Sequence, residues 1–395
     1  MKEVYIVSVA RTPIGNLGGV LSTVSTIDLG KTAIKGAIER AGIEPSAINE
    51  VFMGCVLTAN TGQAPAKQVL LASGIPDTVP ATTINKVCAS GMKAMMLAAQ
   101  SIMLGDNDVV VAGGMESMSQ APHYIPTGRT GIRYGNGQLI DAIVRDGLQD
   151  PYNGDMMGSC GEICAEGYNI TKDDQDAYAL ASYERARAAY DQGLFDKEIV
   201  PVSVPQRRKE PILVTRDEEV DNERITDLAS VQKGRAVFKK NGTVSAINAS
   251  KINDGAAAVV LMSKEKVEEL GVKPIAKIRS FADAAQEPIW FTTTPSKAMP
   301  KAAAKANVAI KDIDLFEINE AFSSVVLANM KILELDHEKV NVLGGAVSMG
   351  HPIGVSGCRI MITLLTALAH KGGRLGLAGI CNGGGGASAM LVELL

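Results

Sequence analysis

The sequence predicts an α/β protein made of two copies of one unit, and three observations carry the prediction. Short β-branched runs (Val4–Val9, Val51–Leu57, Val109–Ala112) alternate with helical stretches (Leu29–Ala41, Gly91–Leu104), the pattern of layered sheets and helices. The stretch Ala41-Gly42-Ile43-Glu44-Pro45-Ser46-Ala47-Ile48, ahead of a strand, is answered by Ala306-Asn307-Val308-Ala309-Ile310-Lys311-Asp312-Ile313. Ser90-Gly91 opens a helix leading to a strand that ends at Gly113, and Ser356-Gly357 does the same toward Gly379. Both matches share an offset of about 265 residues and the same order, which argues for duplication.

The remaining stretch fits this plan. A chain of 395 residues is long enough for two or three domains. Between the repeats lie about 130 residues, roughly 119–250, of different texture: Gly, Tyr and Arg first, then a charged helix over Lys172–Gln192, then the Pro- and charge-rich Pro201–Arg224. This reads as an insertion over the core, where substrate-gripping loops commonly sit.

Bulk composition narrows the function. Hydrophobic residues are 46% and charged residues 21%, as in ordinary globular proteins, and the net charge of −4 speaks against a nucleic-acid binder. No membrane span is expected, and Met1–Val7 lacks the apolar core of a signal peptide. Six cysteines in so long a chain suggest a reducing cytoplasm rather than a disulfide framework. Cys160 and Cys164 have no second pair or nearby His to complete a zinc site, so no metal is expected.

Four segments could carry chemistry. Cys88 stands where the extended Ala81–Asn85 turns into a helix apolar on nearly every face. A thiol there feels the positive end of the helix dipole, which favours thiolate; alternatively Cys88 is a small buried hydrophobe. His351 is the only one of four histidines bracketed by Gly and Pro. In the repeat it falls opposite Asn85, so a pseudo-twofold would bring it toward Cys88 as a nucleophile–base pair; the other reading is a surface loop histidine. Cys381-Asn382-Gly383-Gly384-Gly385-Gly386 follows a strand and could aim backbone N–H groups at an oxyanion. It lacks the Lys-Ser/Thr of a P-loop and the spacing of a dinucleotide fingerprint. Asn319, before Glu320-Ala321-Phe322, either caps a helix or orients a water or substrate.

Taken together, Asn85–Ala94, Gly113–Ser119, Asn319–Phe322, Gly344–Gly357 and Cys381–Ala387 resemble the thiolase family, and the similarity runs over essentially the whole chain. The resemblance implies two pseudo-twofold βαβαβαββ halves in a layered α/β arrangement with an inserted loop domain. The halves would be residues 1–118 plus 251–270 and residues 271–395, with the loop domain at 119–250 serving CoA binding and oligomerisation. It implies a homotetramer, or at least a dimer, acting on acyl-CoA thioesters, with no cofactor beyond coenzyme A itself. Cys88 would carry the acyl group, His351 would activate it and Cys381 would move the substrate's α-proton. Asn319 would hold a water that forms one oxyanion hole with His351, and the N–H groups of Cys88 and Gly383 would form the other. Ser250 would contact the pantetheine of CoA, with Met157, Leu148, Ala321 and Phe322 lining its tunnel. Arg224 would either grip CoA phosphates or stay solvated.

Within the family, Met157-Gly158-Ser159-Cys160, Asn248-Ala249-Ser250 and Phe281–Ala285 resemble the biosynthetic branch, which condenses two acetyl-CoA. The competing branch is the 3-ketoacyl-CoA thiolases of fatty-acid breakdown, with longer acyl groups. Two departures matter. Many members carry His where this chain has Met156, and potassium-activated members carry Tyr where it has Val220, which puts potassium activation in doubt. A non-catalytic lipid carrier is disfavoured because Cys88, His351, Cys381 and Asn319 are all present. A nucleotide binder is disfavoured because the Gly-rich loops lack charged partners.

Overall fold

The computed structural model describes all 395 residues. Its main sheet is built from β1 (Val4–Arg11), β2 (Glu50–Gly54), β3 (Ala81–Ile84), β4 (Val109–Ser117), β5 (Asn253–Ser263), β6 (Ala276–Ala285), β7 (Leu315–Ile318), β8 (Leu375–Asn382) and β9 (Gly386–Leu394). They lie in the order β7-β8-β9-β6-β1-β5-β4-β2-β3, with the two-residue strand Gly15–Asn16 added against β5. The sheet is really two half-sheets. They meet only where Tyr5 and Ile6 of β1 pair with Lys277 and Ala276 of β6.

The duplication read from the sequence extends to fine detail. β1 pairs antiparallel with β5, and β6 with β9; each pairing is interrupted by a bulge, between Ile6 and Ser8 in one and between Ile278 and Ser280 in the other. The serine after each bulge donates its hydroxyl to a helix carbonyl at 2.6 Å, Ser8 to Ala37 and Ser280 to Ala302. On the outer side of each half the pairing turns parallel, β2 with β3 and β4, and β7 with β8.

Helices cover every face. Helices α1 (Thr26–Ala41) and α2 (Pro65–Ala72) bury Ala33, Ile34 and Val69 against Val51, Val111 and Val260 on the outer face of the first half. Helices α6 (Pro295–Lys305) and α7 (Ser323–Leu333) do the same for the second, with Met299 and Val326 against Phe316 and Leu377. Between the half-sheets lie α3 (Ser90–Leu104) and α8 (Ser356–Lys371), whose Met95, Ile102, Ile360 and Leu364 share one core with Val259 and Val392. The result is a stack of helix, sheet, helix, sheet and helix layers. Strands covered on both sides read as unbroken apolar runs, and every residue of β4 and β5 is buried. The stretch Val87–Leu104, with mean hydropathy 1.3, is apolar enough to pass for a membrane span; here it is the middle layer.

Element ends moved for identifiable reasons. The first long helix begins at Thr26, ahead of the expected Leu29, because Ser25 accepts the Asp28 N–H as its cap. The strand expected over Val51–Leu57 stops at Gly54, because the N–H groups of Val56 and Leu57 turn to the Glu116 carboxylate, each at 3.0 Å. Within the insertion, α4 (Met157–Gly167) and α5 (Lys172–Asp191) pack on the second half, Tyr178 and Ser182 of α5 each donating to Glu320 at 2.8 Å.

Candidate active site

The central helices cross at a reciprocal pair of glycines. A Cβ on Gly91 would stand 2.9 Å from the Cys358 amide nitrogen, and one on Gly357 would stand 2.5 Å from that of Met92. No larger residue permits this approach. The pairs are mates in the repeat, so the pseudo-twofold passes between them and both helix N-termini converge on one place.

On the first side, β3 leads through Asn85 and Lys86 into Cys88. Val87 between them has φ 47°, the left-handed region, where a β-branched residue costs about 1–3 kcal/mol. The turn is pinned by its own polar atoms. Ser90 Oγ accepts the Lys86 N–H at 2.8 Å and donates to the Val87 carbonyl at 2.6 Å, and Asn85 Oδ1 accepts the Val87 N–H at 3.0 Å. Cys88 is left partly exposed, packed beside Val56, Leu57 and Ile353.

On the second side, His351 sits in a loop whose N–H donates to Asn253 Oδ1 at 2.8 Å. Its Nδ1 lies 2.5 Å from Ser356 Oγ, and Ser356 Oγ donates to the Pro352 carbonyl at 3.1 Å. With the hydroxyl hydrogen committed there, Nδ1 is assigned the ring proton and Nε2 keeps a bare lone pair. That Nε2 is buried and has no partner in the protein. Burial, and then the charge of Arg359, push the imidazole down to about 3, so it is neutral throughout the physiological range. This is a buried base, and the surface-loop reading of His351 is corrected accordingly.

Cys381 is the last residue but one of β8, fully buried among Cys160, Ala321 and Phe322. Burial holds its thiol well above the usual range, and the neighbouring Cys88 adds to the shift. Gly383 directs its N–H at Cys88, easing a thiol that burial otherwise pushes up to about 11; the Cys88 N–H eases it too, while Glu116 opposes them. The direction runs against the expectation of a thiol acidified by the helix terminus: burial, only partly offset by the two N–H groups, favours the thiol. The glycine run is a hairpin turn between β8 and β9, with Gly384 and Gly385 at φ 84° and 87°. Only Gly383 aims an N–H at the nucleophile.

Asn319 is not a helix cap. Its helix starts at Ser323 with Phe322 at the cap position. Its backbone N–H is tied to the Gly379 carbonyl at 3.0 Å, while both atoms of the side-chain amide are buried without a protein partner. A buried amide in that state is costly unless a substrate or water completes it.

A cleft of about 530 Å³ opens onto His351. Leu148, Met157, Ser250 and Phe322 line it, and Met156 adds an apolar wall. One residue expected in the lining is elsewhere. Ala321 is buried behind the wall, its carbonyl taking the Ser250 N–H at 3.1 Å. Arg224, expected either at CoA phosphates or in solvent, is exposed on a short loop where Asn222 Oδ1 takes its N–H at 3.1 Å.

Sequence reading missed two carboxylates and a lysine. Glu116, the only charge in fully buried β4, accepts N–H groups from Val56, Leu57 and Gly354, joining the loops of both halves; burial pushes it up to about 7. Glu320 gathers Tyr178, Ser182, Asn341 and the Val347 N–H. Lys251 lines the cleft. A charge inside an apolar strand was the available signal for Glu116.

Known families agree with this geometry. The description "Thiolase, N-terminal domain" matches residues 4–265 and "Thiolase, C-terminal domain" matches 272–394, so the chain belongs to the thiolase family. Among its relatives, the acetyl-CoA acetyltransferase of Schizosaccharomyces pombe is 55% identical over 99% of this chain and 98% of its own. A cytosolic acetyl-CoA acetyltransferase of Gibberella zeae is 53% identical over 100% and 99%, and a mitochondrial one of Danio rerio 53% over 100% and 92%. The crystal structure of the Bacillus anthracis acetyl-CoA acetyltransferase superposes with a TM-score of 0.97 at 40% identity, over 100% of this chain and 99% of that one. A thiolase from Ascaris suum in complex with coenzyme A gives 0.94 at 46%, with full coverage of both.

Proposed function

We propose that this chain is an acetyl-CoA C-acetyltransferase that condenses two acetyl-CoA to acetoacetyl-CoA and CoA, reversibly. One observation carries the reading: His351, whose buried Nε2 no protein group satisfies, lines a largely apolar cleft, while its repeat mate's neighbour Cys88 has Cys381 and the Gly383 N–H beside it. The full-length relatives with that activity support it.

The residues divide the work as follows. Nε2 of His351 takes the Cys88 proton, and the thiolate attacks the thioester carbonyl of the first acetyl-CoA. The N–H groups of Cys88 and Gly383 receive the oxyanion. CoA leaves with the proton of Cys381, so acetyl-Cys88 stands beside a Cys381 thiolate and a protonated His351. That thiolate is costly in a buried site, and the imidazolium offsets it. Cys381 then takes a methyl proton from the second acetyl-CoA. The enolate oxygen is met by Nε2–H of His351 and a water on Asn319, and the enolate carbon attacks the acetyl group. The carbon–sulfur bond to Cys88 breaks, and Cys88 recovers its proton from His351. Every group returns to its starting state without metal or redox chemistry.

Leu148, Met157, Phe322 and Ser250 would hold the pantetheine arm. Exposed Ile125, Ile132, Tyr134 and Leu139 in the insertion support a homotetramer, and the cytosol is the proposed compartment. Thiolysis of 3-ketoacyl-CoA substrates of graded length tests the reading. Rates should fall steeply beyond acetoacetyl-CoA, whereas a flat profile would assign the chain to fatty-acid breakdown.

A further inference from the structure

Lys251 follows Ser250 in the cleft wall, yet its ammonium does not face the cleft. Its side chain is only 19% exposed, and Nζ is turned inward onto three backbone carbonyls: Ala249 at 2.9 Å, Val347 at 3.2 Å and Ile247 at 3.4 Å. Glu219 Oε1 stands 3.8 Å away and the Tyr183 ring centroid 5.7 Å away. Several carbonyl dipoles, a carboxylate and an aromatic face on one point form a cage for a desolvated monovalent cation. Burial pulls the lysine down to about 8 while Glu219 and then Glu320 pull it back, so it stays protonated at neutral pH.

The cage joins two parts of the site. Ile247 and Ala249 belong to the segment that carries Ser250. Val347 belongs to the single turn Ala346–Met349, which runs directly into Gly350 and His351. One ammonium therefore fastens the cleft floor to the approach to the base. The same contacts decide the question of potassium. An inorganic cation and the ammonium cannot share the cage, since two like charges in one low-dielectric centre repel strongly. Val220 brings no oxygen from its side chain, and its carbonyl is taken by Arg187 Nε at 3.0 Å. The residues present do not fit a potassium ion.

We propose that Lys251 is a built-in monovalent cation, a positioning residue whose ammonium locks the substrate cleft to the His351 loop and makes the enzyme independent of potassium. The consequence for turnover rests on the acetyltransferase reading; the cation cage itself does not.

The test compares potassium chloride with choline chloride at equal ionic strength. The wild-type protein should show the same acetoacetyl-CoA thiolysis and the same thermal midpoint in both. Lys251→Ala in choline should lose about tenfold or more in rate, as expected for losing charge-assisted hydrogen bonds. Potassium or ammonium ions should restore the rate and raise the thermal midpoint, because the emptied cage admits them; tetramethylammonium should do neither. Lys251→Met, which keeps the cage filled without charge, should be impaired and indifferent to cations. A wild-type protein that needs potassium would overturn the proposal, as would a Lys251→Ala variant that ignores every monovalent cation. If Lys251→Ala does not fold, the wild-type and Lys251→Met arms decide. If the wild-type protein turns over no acetoacetyl-CoA, the functional reading falls, and the thermal response of Lys251→Ala still decides the cage.

Discussion

The two helix N-termini that meet at the site are built on one plan and do opposite work. Ahead of α3 the chain takes a strained turn at Val87 and presents a thiol. Ahead of α8 the matching stretch has His351 where the first has Asn85, and Gly354 where the first has Cys88. The first turn is held by its own Ser90 and Asn85, and is locally self-sufficient. The second keeps its own serine, Ser356, on the His351 ring and the Pro352 carbonyl, and is held from outside as well: Asn253 takes the His351 N–H and Glu116 takes the Gly354 N–H at 2.9 Å. The nucleophile is thus placed by a strained local turn, and the base by its local serine together with tertiary hydrogen bonds from the opposite half. Duplication supplied the convergence, and later substitutions divided the chemistry.

The sharpest way to break this comparison is to remove the chemistry from one side. Cys88→Ser should lose about a thousandfold or more in thiolysis while its circular dichroism is unchanged. Cys381→Ser should still take up an acetyl group, seen as an acetyl adduct by mass spectrometry, but should not condense. Near-normal thiolysis in the first variant, or condensation in the second, would remove that cysteine from its role.

A smaller effect should come from the crossing itself. Gly357→Ala puts a Cβ 2.5 Å from a backbone nitrogen, and Gly91→Ala puts one at 2.9 Å. Overpacking of this kind costs about 1–3 kcal/mol, so Gly357→Ala should lower the denaturant midpoint, and more than Gly91→Ala does. Equal midpoints for both variants and the wild type would mean the helices can separate freely.

The mildest probe is pH. Because burial raises the Cys88 thiol to about 11 and lowers His351 to about 3, the resting pair is neutral across the physiological range. Iodoacetamide inactivation should climb with pH through the alkaline range, since thiolate forms only as pH approaches the raised value. A rate that levels off near neutrality would reveal a preformed thiolate–imidazolium pair.

How much of this was legible in the sequence follows the same division. The Cys88 segment, the central helices and the repeat were readable because strand, turn and helix signals are local. His351 was readable only through the repeat, which told where its loop would face. The roles of Glu116, Glu320 and Lys251 were not, because their partners lie far away in the chain: Lys251 meets Val347, and Glu116, visible only as a charge in an apolar strand, meets Gly354. The direction of the Cys88 shift was misjudged for the same reason, since the helix terminus is visible in the sequence and the desolvating neighbours are not. Ala321 was placed by analogy in a lining that it supports from behind.

The narrow seam between the half-sheets has a consequence for how the chain comes to be folded. β1 precedes every other strand of the sheet in synthesis, yet its only partners are β5 and β6, which begin at Asn253 and Ala276. Until those residues exist, the most central strand of the molecule has two open edges and no neighbour. Contacts of such long sequence separation close slowly, and an unpaired apolar strand is exposed to association in the meantime. The N-terminal strand is therefore among the last to be secured, and a nascent chain halted before Asn253 carries an unfinished sheet that depends on protection from other chains.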